Sequence, residues 1–466
     1  MEGLILKTSN ISITGISKLI KFFTSRKIEE IANKAEFTKR KTGLKAETFL
    51  KAFTVGIWGL HNITLDLIAE KCCELQYGLT MTKQGLFKRL KVGAVFLKEL
   101  LAEALEYAVE CSITTETVDI LKQFNNVYVC DSTVLALPDK LEGEYQGLGS
   151  PSPKSSIKLQ VILNVLQKRF QRIELWPSRG NDLSYNSTIV SNLREGDLVI
   201  NDLGYFSIET FKEIVNKGAH FVSRLMPRTH IREEKGEEGK SEITNLYEIL
   251  SKSKGLVDDY FYIGGKKKIR TKVRIVAKRL PEEVVNERRR REAKRARKKG
   301  RSMKKAESEL LAWVIVVTDV PAEKLSTEAV LEIYRMRWQI EIVFKNWKSN
   351  FEIGKVGQAG KDYFECLLYG KLILITLMTT IYSRMYYNIY HENGRILSSL
   401  KFFKVLREKA TELQKYIESV VFGTKRLTIL LEEVIKRSIT EKRKRKTTEQ
   451  ALAEYPMPAV VLQNVV

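Results

Sequence analysis

Four histidines and five cysteines among 466 residues leave little material for zinc or thiol chemistry. Cys72, Cys73, Cys111, Cys130 and Cys366 show no CxxC spacing, and no HxxxH pair accompanies them. Neither a zinc site nor a disulfide framework is implied, and a cytoplasmic, reducing setting is expected. His61, His220, His230 and His391 are dispersed without a nucleophile context, which excludes a hydrolase triad. Long hydrophobic runs are also missing. The longest, Leu372 to Ser383, lies between Lys371 and Arg384, against the roughly 20 residues a bilayer span needs. It reads as a buried helix, and no membrane partner is expected. The N-terminal stretch MEGLILKTSNISITGISKLIKFF lacks the order of a signal peptide, and its apolar positions are spaced helically, so no export is expected. Gly354, Gly357 and Gly360-Lys361 miss the phosphate-loop spacing, with Asp362 where Ser or Thr would stand, so no nucleoside triphosphate is implied.

What the chain has in excess is positive charge. Its 79 Lys and Arg exceed its 56 Asp and Glu by 23, an imbalance that points to a polyanion, with nucleic acid the default. The excess is concentrated: Lys266 to Lys305 carries +16 and Lys436 to Lys446 carries +6. Apolar residues at 44% and charged residues at 29% describe an ordinary folded chain long enough for about three domains.

Residues 1 to about 120 read as helices, with apolar residues at i, i+3 and i+4. Within them, LDLIAEKCCELQYGLTMTKQGLFKRL predicts a helix to Gln76, a turn at Gly78, and a second helix capped by Thr80 or Thr82. That second helix carries Lys83, Gln84, Lys88 and Arg89. It is either a recognition helix for a DNA groove or half of an ordinary helical hairpin with a solvated basic face. From Asn125 the texture changes to short Val-, Ile- and Leu-rich strands alternating later with helices, which predicts a mixed α/β sheet. Residues 227–320 look like an insertion: an acidic turn (EEKGEEGKSE), a hairpin at Gly264-Gly265, a basic helix from Pro281 to Gly300, and the strand LLAWVIVVTDV. A long helix is expected from Leu325 to about Asn350, with further helices to about Glu432 and a frayed tail beyond Lys436.

The long helix is the informative one. At about 100° per residue from Tyr334, Arg337 falls at about 300°, Glu341 at about 340° and Lys348 at about 320°. A contiguous stripe of Ile333, Met336, Ile340, Val343, Phe344 and Trp347 borders that arc. A carboxylate at the edge of a buried face, with two cations and a phenol beside it, suits a metal ligand followed by phosphate contacts. It also suits an amphipathic helix with an Arg337–Glu341 ion pair. Asp131 and Asp202 each follow an apolar run, so each projects from a buried strand or its end. A carboxylate so placed needs a cation, a hydrogen-bond shell or a proton. Three carboxylates from two strands and a helix could hold two hard divalent ions for phosphoryl transfer.

The spacing Tyr334-x(2)-Arg337-x(3)-Glu341-x(6)-Lys348 resembles the YREK signature of bacterial insertion-sequence transposases of the insertion-sequence-four family. Asp131 in CDSTVLALP and Asp202 in NDLGYFS are similar to that family's first two catalytic aspartates. The 139-residue gap from Asp202 to Glu341 accommodates the family's β-rich insertion. The resemblance, over roughly residues 40 to 390, implies an α/β, ribonuclease-H-like (retroviral-integrase-like) catalytic core with a β-rich insertion and an N-terminal all-α region. It implies a triad of Asp131, Asp202 and Glu341 holding two Mg²⁺ (or Mn²⁺) ions. The implied activity is metal-dependent cleavage at element ends and strand transfer, with excision through a DNA hairpin in related enzymes. Tyr334, Arg337 and Lys348 would hold phosphates. Trp313 is a candidate for stabilising a flipped base by region alone, a core role being the plainer reading, and Trp338 is another. Asp182 in RGNDLSYN reads as a turn residue or as a support behind the metal ligands, outside the triad.

The expected organisation is therefore 1–120 helical and DNA-binding, 121–226 core, 227–320 insertion, 321–395 core, and 396–466 C-terminal helices and basic tail. Lys266 to Lys305, with Arg288, Arg289, Arg290 and Arg291, is expected to clamp DNA, unless it is a solvated charge run. Lys83, Lys88 and Arg89 are expected to read the ends. Expected partners are double-stranded DNA with terminal inverted repeats, target DNA and a second copy of the chain, on the nucleoid when DNA is bound. The alternatives are a non-catalytic DNA-binding protein, including a transposase remnant, and a structure-selective nuclease.

Overall fold

The computed structural model describes residues 20–38, 43–60, 62–112, 118–149, 152–232, 243–264, 270–357, 360–418, 424–440, 446 and 448–455. The helical reading of the first 19 residues, the acidic turn, Lys266 to Lys268 and residues 441–445 of the basic tail lie outside them. The chain divides into two compact units. The first comprises Met1–Thr115, Ser132–Gly180 and Ile340–Lys444; the second comprises Glu116–Asp131, Asn181–Gln339 and Arg445–Val466.

Ten strands occur among the described residues: β1 (Val127–Leu137), β2 (Ser155–Asn164), β3 (Arg169–Pro177), β4 (Leu198–Asn201), β5 (His220–Arg224), β6 (Ile231–Arg232), β7 (Ile243–Thr244), β8 (Leu256–Ile263), β9 (Thr271–Arg279) and β10 (Trp313–Thr318). The second unit holds the order β1-β4-β5-β10-β9-β8-β6-β7. Its β1, β4 and β5 are parallel, and β10 joins β5 antiparallel. All four residues of β4 are buried, as are Val127 to Cys130 of β1. That is why these strands read as continuous apolar runs: a central parallel strand is covered on both faces. The segment 227–320 supplies β6 to β10, and β10 lies directly between β5 and β9. The basic helix, Glu282–Lys298, has Pro281 at its start and ends at Gly300, whose φ of +65° suits glycine.

The first unit is mainly helical, with the antiparallel hairpin β2–β3. Its longest helix, Lys361–Asn393, is long and apolar enough to cross a membrane by length and composition, yet 94% of that apolar window is buried inside the protein. Gly370 explains the close packing there, since a Cβ at that position would lie 2.2 Å from the Phe53 carbonyl oxygen. Lys371 and Arg384, which flank the apolar run, both have backbone partners. Lys371 is 6% exposed, and the Arg384 guanidinium donates to the Cys111 carbonyl.

Three expectations need correction. The helix expected from Leu325 to Asn350 is two helices, Thr327–Arg335 and Trp338–Ser349, interrupted at Met336 and Arg337. Amides there bond three residues back, Arg337 N–H to Tyr334 O at 3.2 Å and Gln339 N–H to Met336 O at 2.9 Å, so a single wheel does not hold across the break. Of the apolar stripe, Ile333, Met336, Ile340, Phe344 and Trp347 are buried and Val343 is half-buried. The second helix of the N-terminal hairpin is only Lys83–Phe87, capped by Thr82, before the chain turns into Leu90–Glu110. The tail does not fray at Lys436: a helix continues to Ser438, which is buried, and a further helix, Thr448–Leu452, ends on a buried Leu452.

Candidate active site

The parallel register of β1 and β4 pairs Cys130 with Asn201, so the next residues, Asp131 and Asp202, emerge side by side where those strands end their pairing. The register of β4 and β5 pairs Asn201 with Ser223, which puts Arg224 next in the same row. Side chains alternate along a strand, so the row beneath the carboxylates is Cys130, Asn201 and Ser223, each at most 1% exposed. Burial first, and the Asp131 charge second, push the Cys130 thiol well above its ordinary value, so it stays protonated and inert.

Two residues of helix Thr327–Arg335 and the turn after it face the carboxylates. The Tyr334 hydroxyl donates to Asp202 Oδ1 at 3.2 Å. Arg337 Nη1 lies 3.6 Å from Asp131 Oδ2 and 3.9 Å from Asp202 Oδ2. The break at Met336–Arg337 falls where the guanidinium faces both aspartates. Ser326 starts this helix, its hydroxyl accepting from Ala329 N–H at 3.2 Å. Burial, then the neighbouring Asp202 charge, raise the Tyr334 pKa; Arg337 and Arg224 oppose them without reversing the direction. Tyr334 is therefore a hydroxyl donor throughout the neutral range. Nothing in the sequence marks Arg224, since HFVSRLM shows only a strand; the signal is the register alone.

Glu341 lies in the first turn of helix Trp338–Ser349 and Lys348 is exposed in its last, both within the first unit. Among the described residues no three His, Cys, Asp or Glu side chains are gathered closely enough to hold a metal ion. The donors that are paired, two carboxylates with hard oxygens, fit a Mg²⁺- or Mn²⁺-type ion and not a soft metal. Asp182 sits in a short turn beside Gly204, where an added Cβ would meet the Asp182 Oδ2 at 3.4 Å. Trp313 is buried at the start of β10, as a core residue would be, and Trp338 is 60% exposed beside Arg337.

Several expected DNA contacts have other partners. Arg89 packs against Phe37: its guanidinium covers the ring at 4.5 Å and donates to the Phe37 carbonyl. Burial lowers its pKa. Arg288 donates to the Trp313 carbonyl at 3.2 Å, and Arg289 to the Ser308 carbonyl at 3.3 Å, so both fasten the basic helix down. Arg290 and Arg291 stay exposed, Arg291 paired with Glu287. Arg290, Lys294 and Arg297 share one exposed face by their i, i+4, i+7 spacing. Lys83 pairs with Asp66 at 3.0 Å on the surface, while Gln84 and Lys88 are exposed.

The geometry is that of an acidic pair faced by a guanidinium and a phenol hydroxyl. The transposase DDE domain model matches residues 122–377, more than half of the chain, so the protein belongs to the DDE transposase family. It is a transposase of the insertion-sequence group that the YREK spacing resembles. The chain is 28% identical over 432 residues to the transposase for insertion sequence element IS231F of Bacillus thuringiensis subsp. israelensis, covering 89% of each chain. It is 29% identical over 404 residues to the transposase for insertion sequence element IS1151 of Clostridium perfringens, covering 83% of this chain and 85% of that one. A cryo-EM structure of a piggyBac transposase synaptic complex with hairpin DNA superposes over 93% of this chain and 87% of that one, at a TM-score of 0.40 and 11% identity, a likeness too loose to bear on the site.

Proposed function

We propose that this DNA transposase cuts at the ends of its own insertion-sequence element and joins them to target DNA, with Asp131, Asp202 and Glu341 as its acidic triad. The observation that carries the reading is the pair Asp131 and Asp202, set side by side by strand register and faced by Arg337 and Tyr334. Two adjacent carboxylates repel, and a solvated surface role would not bring them together. They suit hard divalent cations, Mg²⁺ or Mn²⁺, two being expected with Glu341 as the third donor. When bound, such ions activate the attacking oxygen and stabilise the leaving oxygen of a phosphodiester.

The chain's own residues do the rest. Arg337 offsets the charge of the acidic pair and is placed to take a phosphate oxygen when DNA arrives. Tyr334 holds Asp202 by its hydroxyl. Arg224, in the same row, and Lys348 extend the phosphate contacts, each a charge-assisted bond. The strand pattern of a ribonuclease-H-like core is supported by the parallel set β1-β4-β5 and the antiparallel hairpin β2–β3. The exposed face at Arg290, Lys294 and Arg297 serves as the clamp, and Gln84 and Lys88 serve end reading. The working form is a homodimer that brings two element ends together.

The test is cleavage of a supercoiled plasmid carrying the element's ends. Asp131→Ala and Asp202→Ala should lose Mg²⁺-dependent cutting and keep DNA binding. Parental cutting by either variant overturns the triad, and cutting without joining to target DNA marks a simple nuclease.

A further inference from the structure

A polar network in the first unit, apart from the residues above, closes the end of helix Trp338–Ser349. The chain leaves that helix through Glu352 at φ +48°, the left-handed conformation in which glycine is usual, while Ile353 N–H returns to the Trp347 carbonyl at 2.9 Å. A glycine would sit there without strain, yet a carboxylate does, and it is held. Arg407 Nη2 meets its Oε1 at 3.0 Å and Lys355 Nζ at 2.7 Å. Partial burial works to raise the Glu352 pKa, but these two cations outweigh it and hold the carboxyl below its usual range.

The backbone of the same turn is also held by side chains. Lys371 Nζ donates to the Glu352 carbonyl at 2.8 Å and the Lys355 carbonyl at 3.3 Å. Arg407 Nη1 donates to the Ser349 carbonyl at 3.3 Å, and Trp58 Nε1 to the Asn350 carbonyl at 3.3 Å. The Trp58 ring stacks on Phe351, centroids 5.2 Å apart. Burial lowers the Lys371 pKa to about 8, with Glu352 opposing and Arg407 and Lys355 assisting. A buried ammonium is costly, and carbonyls at a helix end are the groups it satisfies here.

We propose that Lys371, Glu352 and Arg407 are positioning residues: they lock the exit turn of helix Trp338–Ser349 and so fix the register in which Glu341 and Lys348 are offered to DNA. The inference rests on the roles given to Glu341 and Lys348 above. Two other helices hold the turn that ends Trp338–Ser349: Lys361–Asn393 through Lys371 and Ser399–Glu408 through Arg407. A loosened turn lets the helix slide or rotate without unfolding the unit.

The experiment uses the full chain with plasmid DNA carrying the element ends. Glu352→Gly keeps the left-handed turn and removes the carboxylate; Lys371→Met keeps a buried side chain of similar length and removes the donor. Both should melt as one cooperative unit, bind end DNA within about threefold of the parent, and cut about tenfold more slowly at saturating DNA. Both should need more Mg²⁺ for half-maximal cutting. Hydrogen exchange of amides 346–353 should quicken at least tenfold, while that of the Lys361–Asn393 helix stays unchanged. Parental cutting rate and Mg²⁺ dependence in a folded variant overturn the proposal, whether or not exchange quickens. If Lys371→Met does not fold, Glu352→Gly decides alone. Glu341→Ala run alongside separates the two failures: its parental cutting would sink the functional reading, whereas a dead Glu341→Ala beside unaffected Glu352→Gly and Lys371→Met would sink only the positioning role.

Discussion

Tyr334→Phe is the cleanest perturbation of the acidic pair, because it removes one hydroxyl and leaves the ring. The lost interaction is the bond to Asp202 Oδ1 at 3.2 Å. A hydrogen bond to a charged group is worth roughly 1.5–3 kcal/mol net, but the best hydroxyl–carboxylate bonds are near 2.5–2.7 Å. The Asp202 side chain is also 36% exposed, so water screens part of the interaction. About 1–1.5 kcal/mol is then the appropriate size, which corresponds to a rate loss of about 5- to 13-fold if the bond orients Asp202 for cleavage. Stability should fall by less than about 1 kcal/mol, since Arg337 still faces the carboxylate. The assay is single-turnover cutting of end-bearing plasmid at saturating protein, with thermal melting as the control. The pH dependence has a definite sign. The Tyr334 pKa is raised above its ordinary 10, so the hydroxyl keeps its proton, and the parent's rate should show no fall from Tyr334 ionisation up to about pH 10. A folded Tyr334→Phe variant cutting within twofold of the parent would show that the hydroxyl does not orient Asp202.

Replacing Arg290, Lys294 and Arg297 together by Gln should weaken DNA binding and lower the slope of log affinity against log salt by about 0.9 for each phosphate no longer neutralised; an unaltered slope argues against the clamp. Arg288→Gln should leave that slope alone and instead cost about 1 kcal/mol of stability, because the Trp313 carbonyl loses a donor, as a denaturant melt would show. Gln84→Ala with Lys88→Ala should reduce preference for the element's ends by about tenfold and leave nonspecific binding intact, read by competition between end and random duplexes. Arg274→Met should destabilise the protein by about 3 kcal/mol, since Asp258 loses two 2.6 Å bonds from a guanidinium that is itself 1% exposed and keeps, among the described residues, only a neutral donor, the Thr327 hydroxyl.

The strands that carry Asp131 and Asp202 were legible because central parallel strands are apolar throughout, and a carboxylate following such a run stands out. Pro281 and Gly300 likewise marked the basic helix. The break at Met336–Arg337 was not legible: Met, Arg and Trp all suit a helix, and no Gly or Pro marks the point. The break coincides with a tertiary feature, the approach of Arg337 to two aspartates. Arg224 was invisible for a related reason, since only the pairing of Asn201 with Ser223 sets it beside Asp202. Arg89 and Arg288 each have a backbone partner that the charge pattern does not reveal. A run of cations reads as one solvated face, but Arg has the length to lay its stem on a ring or reach a distant carbonyl. Lys371 looked like the polar end of an apolar run and is instead buried within it, on the carbonyls of Glu352 and Lys355.

Glu341→Ala, assayed in Mg²⁺ on a supercoiled plasmid with the element's ends, puts the acidic triad to proof. It should bind DNA without nicking the ends; nicking at the parental rate would show that Glu341 is not part of the triad.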